Sequence, residues 1–160
     1  MKPAQHPAAL RIGQILREAG IDSQPVEFEQ PTRTSADAAA AIGCTVAEIA
    51  KSVVFRGQSS GQAVVVVASG ANRVSETKVA ALAGEPLARA DADFVRAVTG
   101  YVIGGVAPIG HARPVRLVLD EDLRRFGEVW AAAGTPHSVF PVAPEELLRV
   151  TASDWADVKL

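Results

Sequence analysis

The stretch Glu48-Ile49-Ala50-Lys51-Ser52-Val53-Val54-Phe55, which leads through Arg56 and a turn into Ala63-Val64-Val65-Val66-Val67-Ala68, decides the fold. Lys51–Arg56 is rich in β-branched and aromatic residues and Ala63–Ala68 is continuously aliphatic, so both are predicted strands. The intervening Gly57–Gly61 has the Gly/Ser composition of a turn, which predicts a hairpin. Strands that are apolar on both faces are typically buried, so this hairpin is expected inside a sheet.

Short helix and strand signals alternate on both sides of this hairpin. Two helix starts, at Thr34 and Thr45, combine a hydroxyl cap with an acid three residues later. The predicted helices are Ala8–Ala19, one from Thr34 that stops at Gly43, a very short one from Thr45, one between Ser75 and Gly84, Ala92–Val98 and Pro144–Leu148. The further predicted strands are Pro25–Phe28, one within Gly100–Gly110 that breaks into a Gly/Pro loop, Val115–Leu119, Val129–Ala133 and Ser138–Val142, with an irregular tail from Thr151. About six or seven strands mixed with short helices predict one mixed α/β (α+β) domain, residues 1–160, on a central curved sheet.

Composition excludes several classes of protein. The chain has 160 residues, of which 48% are hydrophobic and 21% charged, so it can bury a core and is not a disordered protein. A net charge of −2 excludes the strongly basic surface of a generic nucleic-acid coat protein, although not a local basic patch. The single cysteine, Cys44, excludes a disulfide framework and a multi-cysteine metal site.

The N-terminus lacks the apolar region of a signal peptide, and the longest aliphatic run has six residues. A soluble, cytoplasmic protein is therefore expected.

Lys51 is the most informative single residue. Only four lysines occur in the chain, against twelve arginines, and Lys51 alone enters an apolar strand. A lysine there must extend its amine to solvent, pair with an acid, or face a pocket. The residues alone leave a structural and a functional role equally open. A desolvated ammonium would suit the stabilisation of an anion or a developing oxyanion.

The loop Gly104-Gly105-Val106-Ala107-Pro108 is the second candidate. Glycines after a strand allow close backbone approach and leave N–H groups free to donate, and Pro108 stiffens the loop. An ordinary tight turn explains the same residues, and on the residues alone that interpretation is favoured. The spacing fits neither a phosphate-binding P-loop nor a dinucleotide-binding fingerprint.

The remaining chemistry-bearing residues form no recognisable catalytic or metal-binding pattern. The three histidines, His6, His111 and His137, lack metal-ligand spacing, so no metal site is expected. His137 could line a pocket, although a surface position is favoured. Cys44 has no neighbour in sequence that would activate it, and the acidic run Asp120–Asp122 has the composition of a helix start.

Two motifs together resemble one family. Glu48–Phe55 resembles the lysine motif of the YbaK/ProX family of aminoacyl-tRNA deacylases, relatives of the editing domain of bacterial prolyl-tRNA synthetases. Gly100–Gly110 resembles the family's G-x-x-x-P loop, with Gly104 and Pro108 as its ends, and Ala143–Leu148 is similar to its closing pattern. The likeness covers about residues 30–150. It implies the editing-domain fold, with a partly closed mixed sheet surrounded by helices.

The resemblance also implies a function and a set of site residues. It implies hydrolysis of the ester of mischarged tRNA, commonly tRNA for proline with a small wrong amino acid such as Ala, Ser or Cys. The protein would act in trans on the 3′ end, with prolyl-tRNA synthetase as a further partner and with no metal or organic cofactor. Lys51 and Gly104 would be catalytic, and the substrate's ribose 2′-hydroxyl would help the attack. The implied substrate-binding residues are Thr34, Ser52, Gly105, Val106, Ala107, Pro108 and His137.

Two positions depart from the family pattern. Ala107 stands where relatives often carry serine, which removes a hydroxyl from the expected pocket, and Ser52 stands where some relatives have threonine. No single relative's substrate can therefore be transferred. A module that binds tRNA or a synthetase without hydrolysis, and a purely structural interaction domain, remain alternatives. Candidate tRNA contacts are Arg33, Arg56, Arg73, Arg113 and Arg116.

Overall fold

The computed structural model describes all residues, 1–160, and contains nine strands and five α-helices. The strands are β1 (Lys2–Pro3), β2 (Val26–Glu27), β3 (Ile49–Gly57), β4 (Ala63–Ser69), β5 (Leu87–Arg89), β6 (Arg116–Asp120), β7 (Val129–Ala132), β8 (Ser138–Val142) and β9 (Asp154–Ala156). The helices are α1 (Pro7–Glu18), α2 (Ser35–Ile42), α3 (Glu76–Ala83), α4 (Ala92–Thr99) and α5 (Pro144–Thr151), with 3-10 helices at Val46–Glu48 and Glu121–Arg125. None of the helices combines the length and apolar character that crossing a membrane requires.

All nine strands belong to one mixed sheet. Its order is β1-β2-β8-β7-β3-β4-β6-β9, and β5 pairs with β3 outside this path. β3 and β4 form the predicted antiparallel hairpin, in which Ala50 lies opposite Ser69 and Lys51 opposite Ala68. β3 also pairs parallel with β7, and β4 pairs parallel with β6. The mixed α/β single-domain fold predicted from the sequence is confirmed.

The core covers both faces of β4, whose residues are all buried. Val65 and Val67 belong to the larger apolar cluster, which also contains residues of α1, β7 and β8. Val64, Val66 and Ala68 belong to a second cluster, which is completed by α3 and β6. Because alternate residues of a strand point to opposite faces, a continuous aliphatic run is what a strand between two apolar layers requires.

The helix ends follow the capping signals in the sequence. Thr34, Ser75 and Asp91 are N-caps, and the side chain of each accepts a hydrogen bond from a backbone N–H of the first helical turn. Gly43 and Gly84 end their helices in the left-handed conformation, which glycine adopts without strain. The element from Thr45 is a single 3-10 turn that leads directly into β3.

Two predictions of secondary structure were wrong. The segment Gly100–Gly110 contains no strand: Gly100, with a φ of 81°, ends α4, and Gly104, with a φ of 90°, turns the chain again before it can extend. The tail from Thr151 is not irregular, because α5 continues to that residue and β9 then pairs parallel with β6. The sequence also missed β1 and β5, whose two and three residues are too few to show a period.

The Gly100–Gly110 segment packs tightly against the β7–β8 connection. A Cβ atom at Gly105 would lie 2.7 Å from the Cα atom of Thr135 and 2.9 Å from its backbone nitrogen. Gly105 therefore allows the backbones of the two loops to approach each other closely. A side chain at this position would push the loops apart.

We expect Gly105→Ala to lower the free energy of unfolding by about 1–3 kcal/mol, because backbone atoms cannot move aside for the added methyl group. Urea denaturation measures this change. Gly127→Ala is the matched control: a Cβ atom at Gly127 meets nothing within 4 Å, so its effect should stay within about 0.5 kcal/mol. Equal stability of the two variants would contradict the close packing.

Candidate functional site

A cavity of about 250 Å³ opens where β3 begins, between the N-terminus of α2, the Gly104 loop and the β7–β8 hairpin. Its position follows from the sheet order, because β3 lies between β4 and β7 and β7 pairs with β8. The wall contains Thr32, Arg33, Thr34, Ser35, Ala38, Ile49, Ala50, Lys51, Ser52, Gly104, Val106, Trp130, Ala132, Thr135, Pro136, Ser138 and Val139. The cavity thus combines an aliphatic and aromatic surface with several hydroxyl groups and one amine.

Lys51 carries a positive charge into this wall without a carboxylate partner. Its Nζ atom donates a hydrogen bond to the backbone oxygen of Asn72 at 2.8 Å and takes part in no ion pair. The other three lysines, Lys2, Lys78 and Lys159, each form an ion pair with an aspartate or glutamate. An ammonium has three N–H donors, so Lys51 can still donate to a ligand in the cavity.

The surroundings of Lys51 act on its pKa in opposite directions. The pKa lies below its ordinary value chiefly because partial burial disfavours the charged ammonium. The negative charge of Asp120 raises this pKa, and the positive charge of Arg73 lowers it. Removal of either charged group would therefore change the pH at which the ammonium loses its proton.

Ser52 presents a buried polar atom that has no partner. Its Oγ atom is the one buried side-chain oxygen or nitrogen in the protein without a hydrogen bond, and the residue lines the cavity. The other buried hydroxyls of the wall bond to one another: the Oγ1 atom of Thr135 lies 2.8 Å from the Oγ atom of Ser138. Ser52 is thus the hydroxyl that a bound ligand could satisfy.

The structure brings together five of the nine site residues named from the sequence. Thr34, Lys51, Ser52, Gly104 and Val106 line the cavity. The side chain of Thr34 also caps α2, where its Oγ1 atom accepts a hydrogen bond from the N–H of Asp37 at 3.0 Å.

The other four named residues lie outside the cavity wall. Ala107 is fully buried in the core, and Pro108 lines a separate depression on the other side of the loop. Gly105 packs directly against the backbone of Thr135. His137 is exposed, and its backbone groups bond to Phe28 and Thr135.

Three side chains that were not predicted as site residues hydrogen-bond to the Gly104–Pro108 loop and to the two residues after it. The hydroxyl of Tyr101 donates to the backbone oxygen of Ile109 at 2.7 Å, and Arg11 donates to that of Gly110 at 2.7 Å. The ring Nε2 atom of His111 lies 2.8 Å from the backbone oxygen of Ala107. Burial lowers the pKa of His111, which favours the neutral imidazole as the donor of this bond.

Several other residues of the site could not be predicted from local sequence patterns. Trp130, Thr135 and Ser138 reach the wall only because β7 pairs parallel with β3, and no local pattern signals that pairing. Asn72 and Asp120 reach Lys51 through the turn after β4. The sequence offered one signal for Asp120, the acidic run at the end of β6, and this was interpreted as a helix start; Asp120 does cap the 3-10 helix that follows.

The candidate arginines divide into two groups. Arg33 lines the cavity, and Arg73 is close enough to Lys51 to affect its pKa. Arg56 and Arg116 lie at the other end of the central strands, opposite Ala63 and Val64 respectively. Arg113 lines the separate depression beside Pro108. Of the five arginines, only Arg33 lines the cavity itself, and Arg73 acts there through its charge on Lys51.

We expect Ser52→Ala to leave the free energy of unfolding unchanged or to raise it by up to about 1 kcal/mol, because it removes a buried hydroxyl that has no partner. Ser138→Ala is the matched control, since the Ser138 hydroxyl bonds to Thr135 and to the backbone oxygen of Ala133, and its loss should cost about 1–3 kcal/mol. Urea denaturation distinguishes the two. A Ser52→Ala variant as unstable as Ser138→Ala would contradict the unpaired hydroxyl.

Comparison with known proteins identifies the family. Residues 29–150 match the family model described as the aminoacyl-tRNA editing domain. A crystal structure described as a candidate trans-editing enzyme for prolyl tRNA synthetase is 42% identical, with a TM-score of 0.91 over 98% of this chain and 99% of that chain. YwhH of Bacillus subtilis, an uncharacterized protein, is 34% identical over 138 residues, which are 86% of this chain and 87% of YwhH. EbsC of Enterococcus faecalis, named as a candidate Cys-tRNA(Pro)/Cys-tRNA(Cys) deacylase, is 26% identical over 121 residues, 75% of this chain and 73% of EbsC. The predicted resemblance to this family is therefore confirmed, and the chain belongs to the aminoacyl-tRNA editing domain family.

Proposed function

We propose that this protein is a freestanding trans-editing deacylase, which hydrolyses the ester between a wrong amino acid and its tRNA. The observation that carries the proposal is Lys51, the one lysine without an ion pair, in the wall of a small cavity beside Gly104. Membership of the editing domain family supports a tRNA substrate. Such a substrate would place the activity in the cytoplasm.

In the proposed reaction, the oxygen of a water molecule bonds to the ester carbonyl carbon and the carbon–oxygen bond to the ribose then breaks. The ribose oxygen takes up a proton, and the free amino acid and the uncharged tRNA leave. Negative charge develops on the carbonyl oxygen as water adds. The N–H groups of Lys51 that Asn72 leaves free can donate to that oxygen, and a fixed cation in a partly dry site stabilises such charge strongly.

The loop at Gly104 would hold the 3′-terminal nucleoside next to Lys51. Gly104 lies in the left-handed conformation and lines the cavity together with Val106, so main-chain groups of this loop can face the substrate. The bond between His111 and Ala107, and the bonds from Tyr101 and Arg11 to Ile109 and Gly110 just after the loop, keep it in place before substrate arrives. A preformed loop reduces the entropy lost on binding.

The proposed substrate is tRNA for proline that carries a small wrong amino acid, such as Ala, Ser or Cys. The names of the trans-editing relative and of EbsC support a link to proline tRNA and prolyl-tRNA synthetase. The cavity beside Lys51 supports selection by size, because a pocket rejects a group that is too large for it sterically but separates smaller groups only weakly. Thr34 and Ser52 would contact this group through their hydroxyls.

We expect Lys51→Met to lower kcat/KM for deacylation by about a hundredfold or more, because it removes the cation that faces the ester and keeps an unbranched side chain only one atom shorter. The assay charges tRNA for proline with Ala, Ser or Cys and follows release of the amino acid. Lys78→Met is the matched control, since Lys78 pairs with Asp157 at the surface and its loss should leave the rate unchanged.

A Lys51→Met variant as fast as the wild type would overturn the proposed role of this lysine. A wild-type protein that binds the charged tRNAs but hydrolyses none of them would instead favour a non-catalytic module that holds tRNA or a synthetase.

We expect Arg33→Glu and Arg73→Glu to raise KM by about tenfold and to weaken its salt dependence, because each replaces a cation at the cavity with an anion that repels phosphate. Arg116→Glu makes the same charge change at the far end of the sheet and should leave KM near the wild-type value. Steady-state deacylation at two salt concentrations measures these effects. Equal effects of all three variants would show that only overall charge matters.

A further inference from the structure

A buried carboxylate stands behind Lys51 at the end of β6. Asp120 is fully buried, and three N–H groups donate to its two oxygens. Its Oδ2 atom accepts from the backbone of Ser69 at 3.0 Å and from the side-chain amide of Asn72 at 2.9 Å. Its Oδ1 atom accepts from the backbone of Asp122 at 3.0 Å. The carboxylate thus ties the end of β4 to the turn that follows it.

That turn is the segment that receives the lysine. The N–H of Asn72 donates to the backbone oxygen of Ser69 at 2.9 Å, which closes the turn, and the N–H of Gly70 donates to Ile49 at 2.7 Å. The backbone oxygen of Asn72 then accepts the bond from Lys51 at 2.8 Å. Asp120 holds the two ends of this turn, Ser69 and Asn72, and so determines where the acceptor of the ammonium lies.

Of the two carboxylates that contact the Asn72 amide, only Asp120 has no ion-pair partner, so its negative charge is available to balance the positive charge of Lys51. Asp122, the other carboxylate that contacts the Asn72 amide, forms an ion pair with Lys159 at 2.9 Å. Asp120 forms no ion pair. The cation that acts on Lys51 is Arg73, on the turn, and Arg33 lies on the same cavity wall.

We infer that Asp120 is a positioning residue for Lys51: it fixes the Asn72 carbonyl that orients the amine, and it supplies the negative charge that balances the ammonium. This inference rests on the proposed function, in which the protonated amine contacts the ester. Asp120 does not itself line the cavity, so it would act only through Asn72 and through its charge. The opposing effects of burial and of Asp120 on the pKa of Lys51 agree with this arrangement.

The scarcity of lysine permits a direct test by NMR. The chain has four lysines, so Lys51→Arg assigns the side-chain signal of Lys51, and its titration can be followed in the wild type and in Asp120→Asn. Loss of the negative charge should move the titration of Lys51 to lower pH. The alkaline fall of the deacylation rate should move in the same direction, because the reaction needs the protonated amine. Asp157→Asn, a surface change at the carboxylate that pairs with Lys78, should move neither.

The Asn72→Ala variant tests the positioning of the Lys51 amine separately from the effect of the Asp120 charge. It removes the amide that reaches Asp120 but keeps the backbone oxygen and the Asp120 charge, so kcat should fall about tenfold with little change in the Lys51 titration. Asn72 is only half-buried, so this variant keeps the inference testable if Asp120→Asn does not fold.

Two results would overturn the inference: an unchanged Lys51 titration in folded Asp120→Asn, or a wild-type kcat in Asn72→Ala. The NMR titration requires no turnover. Its outcome therefore remains distinct from a failure of the proposed deacylase activity, which the Lys51→Met assay would reveal.

Discussion

The antiparallel pairing of β3 with β4 is the interaction on which the rest of the structure depends. Apolar layers on both faces of β4 fix that strand, and the register then places Ala50 opposite Ser69 and Lys51 opposite Ala68. The start of β3 is thereby held beside the turn after β4, where Asn72 accepts the amine. A slip of one residue would turn Lys51 to the opposite face of the sheet and separate its amine from the Asn72 carbonyl.

Much of the fold follows from local sequence, because its central elements are long enough to show a pattern. The aliphatic run of β4 and the caps at Thr34 and Ser75 are each decided by residues adjacent in the chain. The errors concern segments whose structure is decided elsewhere. β9 has three residues and exists because β6 offers an edge to pair with. Gly100–Gly110 has the composition of a strand, but Tyr101 is drawn into the core between two glycine turns.

Parts of the site were predictable where a residue contrasts with its surroundings, as Lys51 does, or where a family motif covers it, as at Gly104. A lysine that enters an apolar strand is visible in the sequence, and so Lys51 could be named, whereas Asn72 and Asp120 look like ordinary turn and cap residues. Their connection to Lys51 spans 21 residues for Asn72, and the Asn72–Asp120 bond spans 48. The order of the strands in the sheet brings such polar residues together, and a single sequence does not reveal that order. His137 is exposed, as its loop position favoured, and the substrate-binding role implied by the family resemblance stays a prediction.

The separation of Lys51 from the other lysines has a consequence for chemical labelling. An amine reacts with acylating reagents only in its unprotonated form, and partial burial holds the pKa of Lys51 below its ordinary value. The ion pair with Asp122 instead raises the pKa of Lys159. A reagent small enough to enter the cavity would therefore modify Lys51 in preference to Lys159, and loss of this preference on unfolding would report the intact cavity without any tRNA.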